Sequence, residues 1–175
     1  MCEKKSKKHP YELTIKERYG APKTFEYEMQ MFCWSIQMFE YLKNPCSILL
    51  NDGIRNSILE TSLLHVRNLL EFFTGDRPMK GNLDEDSIRA GYFVDEPHKK
   101  GGWWKSSNLS YTQSRKTNIN KSLSHLTFKR IKENYKWDDL PKIKEEIEKA
   151  YTEFLKLLPQ EDRAKWPSSE NSGID

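Results

Sequence analysis

The chain has 175 residues, of which 36% are hydrophobic and 31% charged, and its net charge at pH 7 is +3. No apolar stretch approaches the roughly 20 residues that a membrane-spanning helix needs, and the lysine-rich residues 1–9 lack the apolar segment of a signal peptide. We therefore expect a cytoplasmic protein without membrane association. We also expect a single domain, because a chain of this length buries roughly 70% of the surface that its unfolded form exposes.

The first predicted helix covers residues 24–42, where large apolar residues recur at spacings of four and three. Further apolar residues lie on its other faces, namely Met31, Trp34, Met38 and Tyr41. We therefore expect this helix to be buried over much of its circumference. Residues 1–23 are predicted to form a mostly flexible arm.

Three more helices are predicted over residues 54–73, 117–132 and 138–158, and the apolar repeat is clearest in the last of them. The four apolar stripes indicate an all-α protein, a four-helix bundle built by residues 24–162. A long irregular connection separates helices two and three, and residues 163–175 are predicted to be a disordered tail.

The chain contains three cysteines, Cys2, Cys33 and Cys46, an odd number without metal-ligand spacing. We predict reduced thiols that pack as small apolar groups, with a disulfide or a catalytic nucleophile as the alternatives. Bundle metal sites use Glu-x-x-His pairs, whereas Glu60 lies five residues before His65, so we predict no metal site and no cofactor.

Positive charge is concentrated in one segment of the chain. Residues 97–132 hold nine lysines or arginines and no acid, whereas residues 51–96 hold nine acids and five bases. Clustering of like charge raises the local positive potential, which favours a polyanionic ligand.

A short polar run in the third predicted helix places Asn120 and Lys121 shortly before His125. It resembles the C-terminal half of the HEPN ribonuclease motif, Arg-Asn-Lys-x-x-x-His, with Ile119 at the position of the arginine. In that family the arginine and histidine from two subunits act on the phosphodiester, one in proton transfer and one in stabilising charge on phosphate. The resemblance implies His125 as a catalytic candidate.

The resemblance also implies a setting and partners. These are RNA as the ligand, a homodimer with helix three near the twofold axis, and a role in toxin and antitoxin systems, phage defence or RNA processing. An antitoxin or another protein is a further expected partner.

The second predicted helix carries His65, Arg67 and Asn68 within an apolar pattern. Polar groups that are buried without a partner are costly, so we predict a satisfied buried network that ties helix two to helix three. The alternative makes His65 and Arg67 catalytic: Arg67 replaces the missing motif arginine and faces His125 across the bundle.

The connection and the third helix combine bases with aromatic rings, which suits phosphate contacts and base stacking. The RNA-binding candidates are Asn120, Lys121, Arg115, Lys116, Lys99, Lys100, Trp103, Trp104 and Lys105. In the alternative, the tryptophans fold back onto the bundle and the lysines keep the loop soluble. The corresponding alternative function is a non-enzymatic helical module whose polar residues organise the core and whose basic loop contacts a protein.

Overall fold

The computed structural model describes residues 15–42, 52–76, 87–94, 103–123 and 137–168. Six helices lie in these ranges: α1 (Ile15–Tyr41), α2 (Asp52–Thr74), α3 (Gly91–Val94), α4 (Ser110–Leu123), α5 (Leu140–Leu157) and α6 (Gln160–Arg163). No strand occurs in the described ranges, which confirms the all-α class. Helices one to four of the prediction correspond to α1, α2, α4 and α5.

The two longest helices, α1 and α2, lie side by side and antiparallel. Phe25 in the first half of α1 contacts Phe72 and Phe73 at the end of α2, with ring centroids 4.9 and 5.7 Å apart. α4 packs against α2, and α5 contacts α1, α2 and α4. None of the helices in the described ranges is long and apolar enough to cross a membrane.

The apolar stripe predicted for helix four is confirmed in α5. Its six residues are at most 3% exposed: Leu140, Ile143, Ile147, Tyr151, Phe154 and Leu158. The stripe faces the other three long helices, so the local period of the sequence determines which side of α5 forms the core.

The first helix differs from its prediction in length. It begins at Ile15 and contains Pro22. Ala21 in its second turn belongs to the buried core. Trp34 is 48% and Tyr41 62% exposed, but Phe25, Met29 and Ile36 are at most 4% exposed, so the helix is buried over much of its circumference, as expected, and exposed on one side. Packing against α2 and α5 uses one face of α1, and the opposite face meets solvent. Residues 1–14 of the predicted arm lie outside the described ranges.

The third helix begins earlier than predicted, at Ser110 instead of residue 117. A carboxylate from another helix explains the difference, because Glu146 of α5 accepts hydrogen bonds from the backbone N–H groups of Tyr111 and Thr112 at 3.1 and 2.8 Å. These are donors of the first turn, which have no acceptor within their own helix. The rest of the predicted helix, from residue 124 to residue 132 and including His125, lies outside the described ranges.

The predicted tail also differs in its first part. After the single turn α6, Trp166 is 6% exposed and packs on Phe154 and Phe93, with ring centroids 4.7 and 5.1 Å apart. The hydroxyl of Tyr151 donates to the carbonyl of Pro167 at 2.5 Å. Trp166 is therefore part of the core packing, while most of the residues around it in 163–168 are exposed. Residues 169–175 lie outside the described ranges.

Candidate functional site

At the C-terminal end of α2, Trp103 packs close to Gly75 and to Gly91 and Tyr92 of α3, and we call this region the corner. Trp103 from the connection donates from Nε1 to the carbonyl of Gly75 at 2.7 Å, and its ring lies edge-on to Tyr92 with centroids 5.1 Å apart. A Cβ added at Gly91 would lie 2.5 Å from this ring. The indole therefore fills the space beside α3 and satisfies a carbonyl at the end of α2 that has no partner within the helix.

Three cations from separate segments converge on this corner, and we call Arg89, Lys105 and Lys116 the basic cluster. Arg89 lies 3.3 Å from Glu71 and also donates to the backbone carbonyl of Asp76. Lys105 donates to the carboxylate of Asp76 at 2.5 Å, and Lys116 lies 3.5 Å from Glu71. The cluster thus sets three positive charges against two carboxylates and the partial negative charge of a helix C-terminus.

The members of the basic cluster differ in exposure. Arg89 is 3% exposed, whereas the side chains of Lys105 and Lys116 are 41% and 43% exposed. The hydrogen bond and charge of Lys105 hold the pKa of Asp76 below its usual value, and the charges of Arg89 and Lys116 act in the same direction. Exposed ion pairs contribute little to stability, so separating the ion pairs of Lys105 and Lys116 should cost the fold little.

Arg115, an RNA-binding candidate on α4, contacts two side chains that precede α5 in the chain. Its Nε lies 3.0 Å from Asp139, and its guanidinium lies over the ring of Trp137, 4.8 Å from the centroid. The hydroxyl of Tyr111 donates to the same carboxylate at 2.6 Å, which raises the pKa of the phenol. The side chain is only 21% exposed, so its geometry indicates a structural role.

The polar residues of helix two contact α1. Nδ1 of His65 lies 2.6 Å from Oε2 of Glu28, and the side-chain amide of Asn68 donates to the same oxygen at 3.1 Å. Burial raises the pKa of Glu28, but the hydrogen bonds from His65 and Asn68 outweigh it, and the net shift is downward. The network was predicted to reach helix three; the partner that the structure supplies is Glu28 of helix one.

The catalytic candidates on α2 point in different directions. Nδ1 of His65 contacts a carboxylate, which is the arrangement that orients a general base. The His65 side chain is only 6% exposed, so little of its ring is accessible to a substrate. Arg67 is exposed on another side of α2, about 200° around the helix from His65. These two residues therefore do not form one site. The position of His125 relative to them lies outside the described ranges.

The remaining RNA-binding candidates fall into three groups. Trp104 packs against Phe154 with centroids 6.1 Å apart, so both tryptophans lie against the bundle, as in the alternative interpretation. Asn120 and Lys121 are partly buried in the last turn of α4, where Oδ1 of Asn120 accepts no hydrogen bond from the described residues. Lys99 and Lys100 lie outside the described ranges.

Sequence reasoning missed Arg89, Glu71 and Asp76 as members of the corner. Arg89 follows an acidic run and carries no motif, so only its tertiary contacts reveal its position. In the described ranges, no three histidine, cysteine or carboxylate side chains lie close enough to hold a metal ion.

The fold and the site define an all-α protein with a basic cluster at the end of its second helix. No family model, curated protein or solved structure matches the chain.

Proposed function

We propose that this protein binds RNA and that the basic cluster is part of the binding surface. The observation that carries the proposal is the convergence of Arg89, Lys105 and Lys116 on one corner, with two of the three side chains half-exposed. Lys105 and Lys116 also belong to residues 97–132, which contain nine bases and no acid. Phosphate contacts by such lysines supply the salt-dependent part of RNA affinity.

The HEPN-like resemblance extends this proposal to a cytoplasmic homodimer that acts on RNA in a toxin, defence or processing system. His125 is then the proton-transfer residue, and Lys121 is the cation that precedes it by four residues. Ile119 cannot supply the charge of the motif arginine, so a cation from another segment or from a second subunit is required. The geometry of Arg115 argues against that residue, because Asp139 and Trp137 already hold it.

RNA binding is tested by the double variant Lys105→Ser, Lys116→Ser with a fluorescein-labelled single-stranded oligoribonucleotide. The slope of log affinity against log salt is negative, and each phosphate contact contributes about 0.7 to its magnitude. Removing two contacts should therefore make the slope shallower by about 1.4. The melting temperature should change little, because both ion pairs are partly exposed. The matched control is Lys149→Ser, whose exposed pair with Glu145 has the same length as that of Lys105, 2.5 Å.

If the double variant and Lys149→Ser give the same salt slope as the wild type, the basic cluster is not an RNA site. Cleavage is tested separately with His125→Ala, which should abolish turnover of the oligoribonucleotide and leave the melting temperature unchanged. Loss of stability without any cleavage by the wild type would assign His125 to the structure instead.

A second candidate function is a non-enzymatic helical module that binds a protein. It is favoured by polar side chains whose contacts lie within the fold: His65 contacts Glu28, and Arg115 pairs with Asp139. Absence of RNA binding at low salt, together with a retained protein-binding surface, separates this function from the first.

A further inference from the structure

Arg67 lies one helical turn before the acid that Lys116 contacts. It precedes Glu71 by four residues on α2, and the ammonium of Lys116 lies 3.5 Å from the Glu71 carboxylate. Side chains four residues apart on a helix are neighbours, with Cβ atoms about 5–6 Å apart. Arg67 is therefore next to the basic cluster on the surface of α2.

Arg67 occupies the side of α2 that is turned toward α4. The side-chain amide of Asn68 donates to Glu28 of α1, so Asn68 marks the side of α2 that faces α1. With 3.6 residues per turn, Glu71 lies about 60° around the helix from Asn68, and Arg67 lies about 40° beyond Glu71. Glu71 itself contacts Lys116 of α4. The exposed Arg67 therefore lies at the junction of α2 and α4.

Arg67 differs from the basic cluster in its contacts. Each cation of the cluster contacts Glu71 or Asp76. Among the residues that the structure describes, no carboxylate pairs with Arg67 and no acceptor takes a hydrogen bond from it. A guanidinium presents its N–H donors in a planar fork that matches a phosphate group. The donors of Arg67 are therefore open to an anionic ligand.

Lys105, Lys116 and Arg67 follow one another in a row along α2. Lys105 contacts Asp76 just after the end of the helix, and Lys116 contacts Glu71, five residues earlier in the chain. Arg67 lies one turn further toward the middle of the helix, about 6 Å from Glu71 along the axis. A row of cations is the arrangement with which proteins follow a nucleic-acid backbone.

We infer that Arg67 is a further phosphate contact of the RNA site, and that the RNA backbone follows the junction of α2 and α4 from the corner to Arg67. This inference rests on the first of the two functions proposed above and extends its site along α2. With Arg67, the surface sets four cations against two carboxylates, which raises its attraction for phosphate.

The test is Arg67→Ser, measured with the labelled oligoribonucleotide over a range of salt concentrations. Loss of one phosphate contact should make the slope of log affinity against log salt shallower by about 0.7. Arg67→Lys keeps the positive charge and should retain the wild-type slope. The melting temperature should not change in either variant, because the side chain is exposed and unpaired among the described residues.

The matched control is Arg55→Ser. Arg55 is an exposed arginine on the same helix, 12 residues before Arg67 and about 18 Å from it along the axis, with Glu60 between them. This variant removes the same charge from α2 outside the row, so its salt slope should equal that of the wild type.

Two results would overturn the inference and leave the RNA site at the corner. In the first, Arg67→Ser keeps the wild-type slope while the double variant Lys105→Ser, Lys116→Ser makes it shallower. In the second, Arg67→Ser and Arg55→Ser change the slope equally, which would show that the total charge of α2 acts and not a contact at residue 67. If the double variant also keeps the wild-type slope, the proposed RNA site itself is wrong, and its extension to Arg67 falls with it.

Discussion

The start of α4 depends on one carboxylate from α5, which makes Glu146→Ala the most informative stability variant. Glu146 accepts the backbone N–H of Tyr111 at 3.1 Å and both the N–H and the hydroxyl of Thr112 at 2.8 Å. Thr112 is completely buried. Alanine at position 146 therefore leaves three donors without their acceptor, and water cannot readily replace it at the hydroxyl.

The expected loss follows from the groups left unpaired. Loss of an N-cap acceptor costs about 0.5–2 kcal/mol, and a buried hydroxyl without a partner adds about 1–3 kcal/mol. We expect Glu146→Ala to lower the free energy of unfolding by about 3 kcal/mol. For a chain of this size that corresponds to a decrease in melting temperature of roughly 10 °C. Urea titration and calorimetry measure the two quantities.

The neighbouring Glu145 provides the control for Glu146. It lies on the solvent side of α5, where Lys149 pairs with it at 2.5 Å and lowers its pKa. Because both groups of this pair are exposed, Glu145→Ala should change stability little. If the two variants unfold at the same denaturant concentration, tertiary capping by Glu146 is not what holds the first turn of α4.

Three further predictions concern the corner, the α1–α2 network and the core. Gly91→Ala should lower the free energy of unfolding by about 1–3 kcal/mol, measured in urea, because its Cβ meets the Trp103 ring. Glu28→Gln should destabilise the protein at neutral pH, and the difference from the wild type should shrink as pH falls below 4.5, because the pKa of Glu28 is lowered in the folded state and its stabilising effect is lost on protonation. An equal difference at all pH values would contradict the network with His65. Burial raises the pKa of the Cys33 thiol, so this thiol should react little with a thiol reagent in the folded protein. The wild type and Cys33→Ala should therefore be labelled equally under native conditions, and the variant should show one labelled thiol fewer only in denaturant.

The spacing of apolar residues predicts the core-facing side of a helix where those residues lie on one side only. α5 shows this most clearly, because a stripe at spacings of three and four can be buried on one side only, and the predicted side is the buried one. The apolar pattern of α2 was identified for the same reason. For α1 the pattern was ambiguous, since apolar residues lie all around the helix, and only contact with α2 and α5 decided that Trp34 faces solvent.

The candidate site was predictable only in part. Lys105 and Lys116 were identified from charge clustering along the chain. The sequence could not show that Arg89 joins them, because the acid that positions it, Glu71, lies 18 residues earlier on another element. It also could not show that Arg115 is held by Asp139, which follows it by 24 residues.

By itself, the sequence determined the helical class, the buried face of α5 and the concentration of positive charge in residues 97–132. Only the tertiary structure decided where α4 begins, which cations are paired and which aromatic rings remain exposed. The physical reason is the range of the interactions: helix periodicity involves residues three or four apart, whereas the hydrogen bonds of Glu146 join positions 34 and 35 residues apart.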